Sequence, residues 1–260
     1  PTLGSLPLPA LASARQRAHT TKCLNNLRQL QIAWLTYSQD NEDVLPPNAG
    51  GLDAGRSGLR PMAWGAGWMT FETIPSTSVA YPDTTNAALL VEAGPGRLGP
   101  CPRAPAMRRC PAAKSYLTLN GTRHPRVRSY GLNEYMNPVD GIALDGDLGG
   151  QEVYAKLTDF RRLSPADAFT FGDQHEDSIN DGKFEVSYRP VGWDEFPGSR
   201  HAGRGAFAFA DGHAATKRWK DSRTRPPSTR AVPNPLINVN QDRNPGIHWL
   251  LNHSTAYLTR

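Results

Sequence analysis

Between Ala10 and Tyr37 apolar residues recur at Cys23, Leu27, Leu30, Trp34 and Tyr37, which puts all five on one stripe of an α-helix. Arg15, Arg17, Lys22, Asn25, Asn26, Arg28 and Gln29 cover the other side, and no glycine interrupts the run. The pattern predicts a helix from Ala10 to Ser38, about 43 Å long at about 1.5 Å per residue. Periodicity alone describes an amphipathic helix packed on its own sheet. The length also suits a spine on which a head is mounted. The polar run after Tyr37 and the pair Pro46-Pro47 predict its end, followed by a linker.

Later elements are shorter. Trp64, Trp68 and Phe71 stand among glycines and read as a short strand or packed turn over the core. Residues 86–92 read as a short helix, 127–136 as a strand, and 140–150 as a flexible acidic turn without EF-hand spacing. Phe169 to Phe171 reads as a buried strand and Phe184 to Tyr188 as an alternating one. In the run from Ala206 to Phe209, Phe207 and Phe209 share one face, and Asp211-Gly212 then predicts a two-residue hairpin turn with positive φ at both positions. The apolar piece from Gly246 to Leu251 is expected to dock back on the sheet. The fold class predicted is α+β: a long N-terminal helix on an antiparallel β-sheet head with extensive loops. The division is residues 1–45 as helix and 46–260 as head.

Composition adjusts this picture in three ways. With 24 Gly, 23 Pro and 38% hydrophobic residues, the chain favours turns and long loops over a helical bundle. The net charge of +5 is spread among interspersed acidic residues, and no arginine-rich run alternates with aromatics, so nucleic-acid binding has little support. No run of apolar residues is long enough to span a membrane, although the opening PTLGSLPLPAL resembles the tail of an apolar segment and suggests a processed or truncated form.

Candidate chemistry falls in three places. Cys101 and Cys110 would close a short Pro-rich loop, whereas Cys23 with Cys110 would tie the helix to the head. The sequence does not choose between these disulfides. Asp173, His175, Asp177, Asn180 and Asp181 gather oxygen donors and an imidazole at a strand end, a candidate site for Ca2+ or another divalent cation. The same residues also suit an acidic loop of Asx turns closed by Gly182. His201 and His213 fall near opposite ends of one strand, and each reads as a hydrogen-bonding residue of the fold.

Taken together, these pieces resemble bacterial prepilin-type proteins of the type IV pilin and type II secretion pseudopilin superfamily, in particular those with a C-terminal His, nine residues, Asp-Gly signature. Here the signature is His201, AGRGAFAFA, Asp211-Gly212, with His213 following. The segment ALASARQRAHTTKCLNNLRQLQIAWLTYSQDNEDVLPPN and the internal pieces WGAGWMTF, RLGPCPRAPAMRRCPAAKS, RVRSYGLNEYM and DQHEDSINDGKF keep the family's order, so the resemblance runs from about Leu8 to Leu251. The family's cleavage site and the apolar helix after it do not occur in the sequence, and Pro7 is an additional departure.

The resemblance implies a structural, non-enzymatic subunit of a long pilus or a short secretion pseudopilus, at the cell surface, outside the cell or in the periplasm. Its partners would be copies of itself and the assembly machinery, with membrane contact only through the apolar segment. Leu11, Leu24, Leu27, Leu30 and Trp34 are the expected helix-packing residues, and His201, Asp211 and Gly212 the expected hairpin residues. Two alternatives compete. One is a secreted metal-dependent hydrolase using Asp173, His175, His201, Asp211 and His213, with Glu176 as general base. The other is a DNA- or surface-binding adhesin pilin.

Overall fold

The computed structural model describes residues 8–51, 54, 62–69, 71, 81–91, 98, 105–139, 150–188, 191–230 and 241–256. Helix α1 spans Leu8–Asp40, about 50 Å at about 1.5 Å per residue. It stops before Pro46, because Glu42 and Asp43 turn the chain through the left-handed region (φ 54° and 63°) while the Asp43 N–H donates to the Ser38 carbonyl at 2.9 Å. Leu45, Asn48 and Ala49 are buried, so the chain enters the head without an exposed linker.

Among the described residues nine short strands follow: β1 (Tyr116–Leu119), β2 (Thr122–Pro125), β3 (Tyr130–Asn133), β4 (Phe169–Asp173), β5 (Lys183–Phe184), β6 (Ser187–Tyr188), β7 (Val191–Gly192), β8 (Arg204–Phe209) and β9 (Ala214–Arg218). The central sheet has the order β5-β3-β4-β8-β9, while β1-β2 and β6-β7 form separate hairpins. Of the short helix expected over 86–92, the described residues 86–91 form a 3-10 turn at Ala87–Leu90, and the alternating run Phe184 to Tyr188 divides between β5 and β6. Most of the acidic turn at 140–150 lies outside the described residues.

The expected pilin-like fold, a helix on an antiparallel sheet head, needs correction on two points. First, β5 runs parallel to β3, with Leu132 opposite Lys183 and Asn133 opposite Phe184, so the sheet is mixed. Second, a further helix, α2 (Pro245–Ser254), lies in the core that covers the opposite face of the sheet. Asn244 caps it by accepting the Gly246 N–H at 2.8 Å, Pro245 fits the first turn, and Ile247, Leu250 and Leu251 are buried.

Both sheet faces are therefore buried, and β8 shows how. Ala206, Ala208 and Ala210 belong to the core under α1 with Cys23, Leu27, Leu30 and Trp34. Phe207 and Phe209 belong to the core on the α2 side with Phe169, Phe184 and Trp219. Small residues let the helix approach the strand closely, and large ones fill the other layer.

Strand β4 carries a bulge. Phe169 pairs with Phe209 but Gly172 pairs with Phe207, so Thr170 and Phe171 together oppose one residue of β8. Thr170 hydrogen-bonds Gln31 of α1, and Phe171 packs in the α1-side core, while a Cβ on Gly172 would meet the rings of Phe184 and Phe207 at 2.9 Å. The extra residue inverts the alternation that Phe169 starts. It thereby delivers Asp173 to the face of the sheet that carries Cys23.

The β8–β9 turn also differs from the two-residue expectation. Gly212 N–H donates to the Phe209 carbonyl at 2.9 Å, and Phe209 N–H donates to the His213 carbonyl at 2.9 Å. These bonds close a three-residue loop over Ala210, Asp211 and Gly212, in which Gly212 alone takes positive φ, 102°. A Cβ there would meet Leu35 Cδ1 at 3.9 Å, an ordinary contact, so the cost of a side chain is mainly conformational. Gly212→Val is expected to lower unfolding free energy by about 1–2 kcal/mol in urea titration. An unchanged midpoint would show that the turn tolerates a β-branched residue.

Candidate metal centre

Four separate segments bring Cys23, Cys110, Asp173 and His201 together. Their ligand atoms all lie within 4.8 Å of one another, and all four residues are buried. This group can hold a metal ion, and among the described residues it is the one cluster of this kind. Cys23 comes from the apolar stripe of α1, one turn before Leu27. Cys110 follows the 3-10 turn Pro105–Arg108 and is held against the helix through Asn26, whose Nδ2 donates to the Arg109 carbonyl at 3.1 Å. Asp173 ends β4, aimed by the bulge. His201 precedes β8 in a turn where Ala202 and Gly203 take positive φ, 54° and 76°.

The surrounding hydrogen bonds fix these side chains. Ser129 Oγ accepts the Cys110 backbone N–H at 2.8 Å and donates to Asp173 Oδ1 at 3.1 Å, joining two members of the cluster. Arg200 Nη1 donates to the same carboxylate oxygen at 2.8 Å. Thr20 Oγ1 donates to the Gln16 carbonyl at 2.9 Å, so toward His201 Nδ1, 3.1 Å away, it acts as acceptor. That bond engages Nδ1 as the donor and leaves Nε2 directed at Cys110 Sγ, 3.3 Å away. Tyr130 Oη sits 3.2 Å from Cys23 Sγ.

Electrostatics separates the two thiols. The hydrogen bond from Cys23 lowers the Cys110 pKa, with His201 and Arg200 acting in the same direction against burial. Burial, and then the bond to Cys110, raises that of Cys23. Burial pushes the Asp173 carboxyl up to about 7, against the opposing charge of Arg200. Burial lowers the His201 pKa, but the hydrogen bond and charge of Cys110 outweigh it and the net shift is upward. The arrangement supplies two sulfur donors, one nitrogen and one carboxylate.

All four residues are candidates in the sequence, Asp173 and His201 as metal ligands and the two cysteines as disulfide partners. Cys23 and Cys110 were candidate disulfide partners, and both are free thiols here, while Cys101 lies outside the described residues. Of the acidic-loop candidates for Ca2+ or another divalent cation, Asp173 alone joins the cluster. Asp177 accepts hydrogen bonds from Ser228, Thr229 and Arg230, including Ser228 Oγ at 2.7 Å, and anchors that segment. Asn180 accepts the Asp181 N–H at 2.7 Å, and Asp181 accepts the N–H groups of Gly51 and Lys183. Both ring nitrogens of His175 are engaged, with the Pro226 carbonyl at 3.1 Å and the Asp177 N–H at 3.2 Å. Apart from Lys183, which begins β5, the backbone groups they serve belong to loops.

The signature residues separate in the same way. His201 enters the cluster, whereas Asp211 Oδ1 pairs with His213 Nδ1 at 2.7 Å in the turn, and the His213 ring stacks on Phe209 at 4.2 Å. Of the helix residues, Leu27, Leu30 and Trp34 are fully buried in the head's own core, Leu24 is partly buried against it, and Leu11 is 61% exposed. Thr20, Ser129, Tyr130 and Arg200 were not identified from the sequence. No spacing rule marks them, because each acts through a contact between distant segments. No protein-family model, curated protein or solved structure matches the chain.

Arg200→Met removes the cationic partner of a fully buried carboxylate and is expected to cost about 3 kcal/mol in urea unfolding. Equal stability would show that the ion pair with Arg200 does not hold Asp173.

Proposed function

We propose that the chain is a structural subunit of an extracellular or envelope-anchored fibre of the type IV pilus or secretion pseudopilus kind, joined to copies of itself through the start of α1. The observation that carries this reading is the unequal burial of the helix. From Gln16 onward α1 is tied to the head, beginning with Gln16 Nε2 donating to the Arg200 carbonyl at 2.9 Å. Residues 9–15 are all exposed, with Leu11 at 61%. A helix that extends about two turns past its own head gains apolar burial when several copies bundle. Heterologous repetition of that contact generates an open filament.

Catalysis has less support. Only Asp173 and His201, of the five ligands that a metal-dependent hydrolase would use, meet in the cluster, and its four donors leave no open coordination position for a substrate. A bound ion in this reading serves the junction between helix and head.

Electron microscopy of fibres from native protein, combined with Leu11→Glu, tests the proposal. The variant is expected to abolish fibres while its unfolding free energy stays within about 0.5 kcal/mol of the parent, as for an exposed site. Native protein that stays monomeric at high concentration, or fibres indifferent to Leu11→Glu, would overturn it.

A further inference from the structure

We propose that Cys23, Cys110, Asp173 and His201 bind one Zn2+ ion that clamps α1 to the sheet. The donor set decides the metal. Two sulfurs and an imidazole select a borderline-soft cation, whereas Ca2+ and Mg2+ require oxygen ligands throughout. Four protein donors fill a tetrahedral shell, which is the closed arrangement of a structural zinc site.

The geometry fits. In a tetrahedron with Zn–S about 2.3 Å and Zn–N about 2.0–2.1 Å, sulfur and nitrogen lie about 3.6 Å apart. Cys110 Sγ and His201 Nε2 are 3.3 Å apart, and the whole set falls within 4.8 Å. A small adjustment, outward for this pair and inward for any pair near 4.8 Å, accommodates the ion. The supporting shell is also of the kind that metal ligands require. Thr20 holds His201 by Nδ1 and presents Nε2, while Ser129 and Arg200 hold one oxygen of Asp173.

Hydrogen bonding leaves one carboxylate oxygen of the cluster without a protein partner. Asp173 Oδ2 is buried with no hydrogen-bond partner, a costly state for a carboxylate oxygen. Charge balance points the same way. With both thiols ionised, the two thiolates, the carboxylate, the dication and the Arg200 guanidinium sum to zero. Binding releases to solvent the protons that the ligand atoms carry in the metal-free state. Cys110 also lies against a groove of about 500 Å³ beside α1.

The mechanical consequence follows from where the ligands come from. Cys23 belongs to the helix, whereas Cys110, Asp173 and His201 belong to three separate parts of the head, so a single ion closes three long loops at once. The site lies about two helical turns inside the point where α1 leaves the head. It is independent of whether the chain polymerises, so a monomeric protein that binds zinc would contradict only the fibre reading.

The experiment uses the full chain, reduced and dialysed against Zn2+, with metal content by mass spectrometry and Co2+ as a spectroscopic probe. One equivalent of zinc is expected, together with a thiolate-to-cobalt charge-transfer band and tetrahedral d–d bands on Co2+ substitution. Cys110→Ser and His201→Ala are expected to lose the equivalent, and Asp177→Asn to retain it. Thr20→Val, which leaves every ligand in place, should weaken Zn2+ binding by about tenfold or more. If ligand variants fail to fold, the cobalt spectrum of the parent chain decides the matter. No charge-transfer band, zinc retained after loss of Cys110 and His201, or a Cys23–Cys110 disulfide in protein that refuses Zn2+ would each overturn the proposal.

Discussion

Ala206, Ala208 and Ala210 alternate with Phe207 and Phe209 along β8, and the rest of the structure depends on this alternation of small and large side chains. The small face lets α1 approach closely enough for Leu27, Leu30 and Trp34 to reach full burial, each worth about 1.5–3 kcal/mol as apolar surface leaves water. The large face fills the layer beneath α2, where Phe207 meets Phe169 edge-on with ring centroids 5.5 Å apart. A sheet loaded on both sides has no solvent-facing layer on which polar residues can alternate. This is why β3 and β4 are buried at every position.

With α1 seated, the polar groups trapped between helix and sheet must find partners. Gln31 meets Thr170 across the interface, and Tyr130 reaches Cys23. The bulge in β4 adds Asp173 to the same face, and Arg200 enters beside it. The Cys-Cys-Asp-His cluster thus arises at the place where helix, sheet and the turn before β8 converge. Its chemistry and its position have a common origin in the packing of α1.

The helix was legible in the sequence because its period is long and uninterrupted, and the β8–β9 hairpin because Asp-Gly punctuates two apolar runs. The mixed sheet was not, since β5 is a two-residue strand whose parallel pairing with β3 leaves no periodic trace. The turn was misjudged by one residue because Asp-Gly also closes a three-residue loop when glycine alone takes positive φ. The cluster was hidden for a different reason. Its four residues are scattered from 23 to 201, and a bulge that inverts side-chain alternation in β4 cannot be read from β4 itself. Asp173 and His201 were legible as possible metal ligands, but the cysteines suggested a disulfide, so the four-residue set was not.

The central claim is that the lower part of α1 is an integral layer of the head while its first turns stand clear. Native-state hydrogen exchange tests it directly. Amides from Cys23 to Ser38 are predicted to open with the same free energy as those of β4 and β8, while residues 9–15 exchange at nearly unprotected rates. Uniform weak protection along the whole helix, with the sheet remaining protected, would contradict the account.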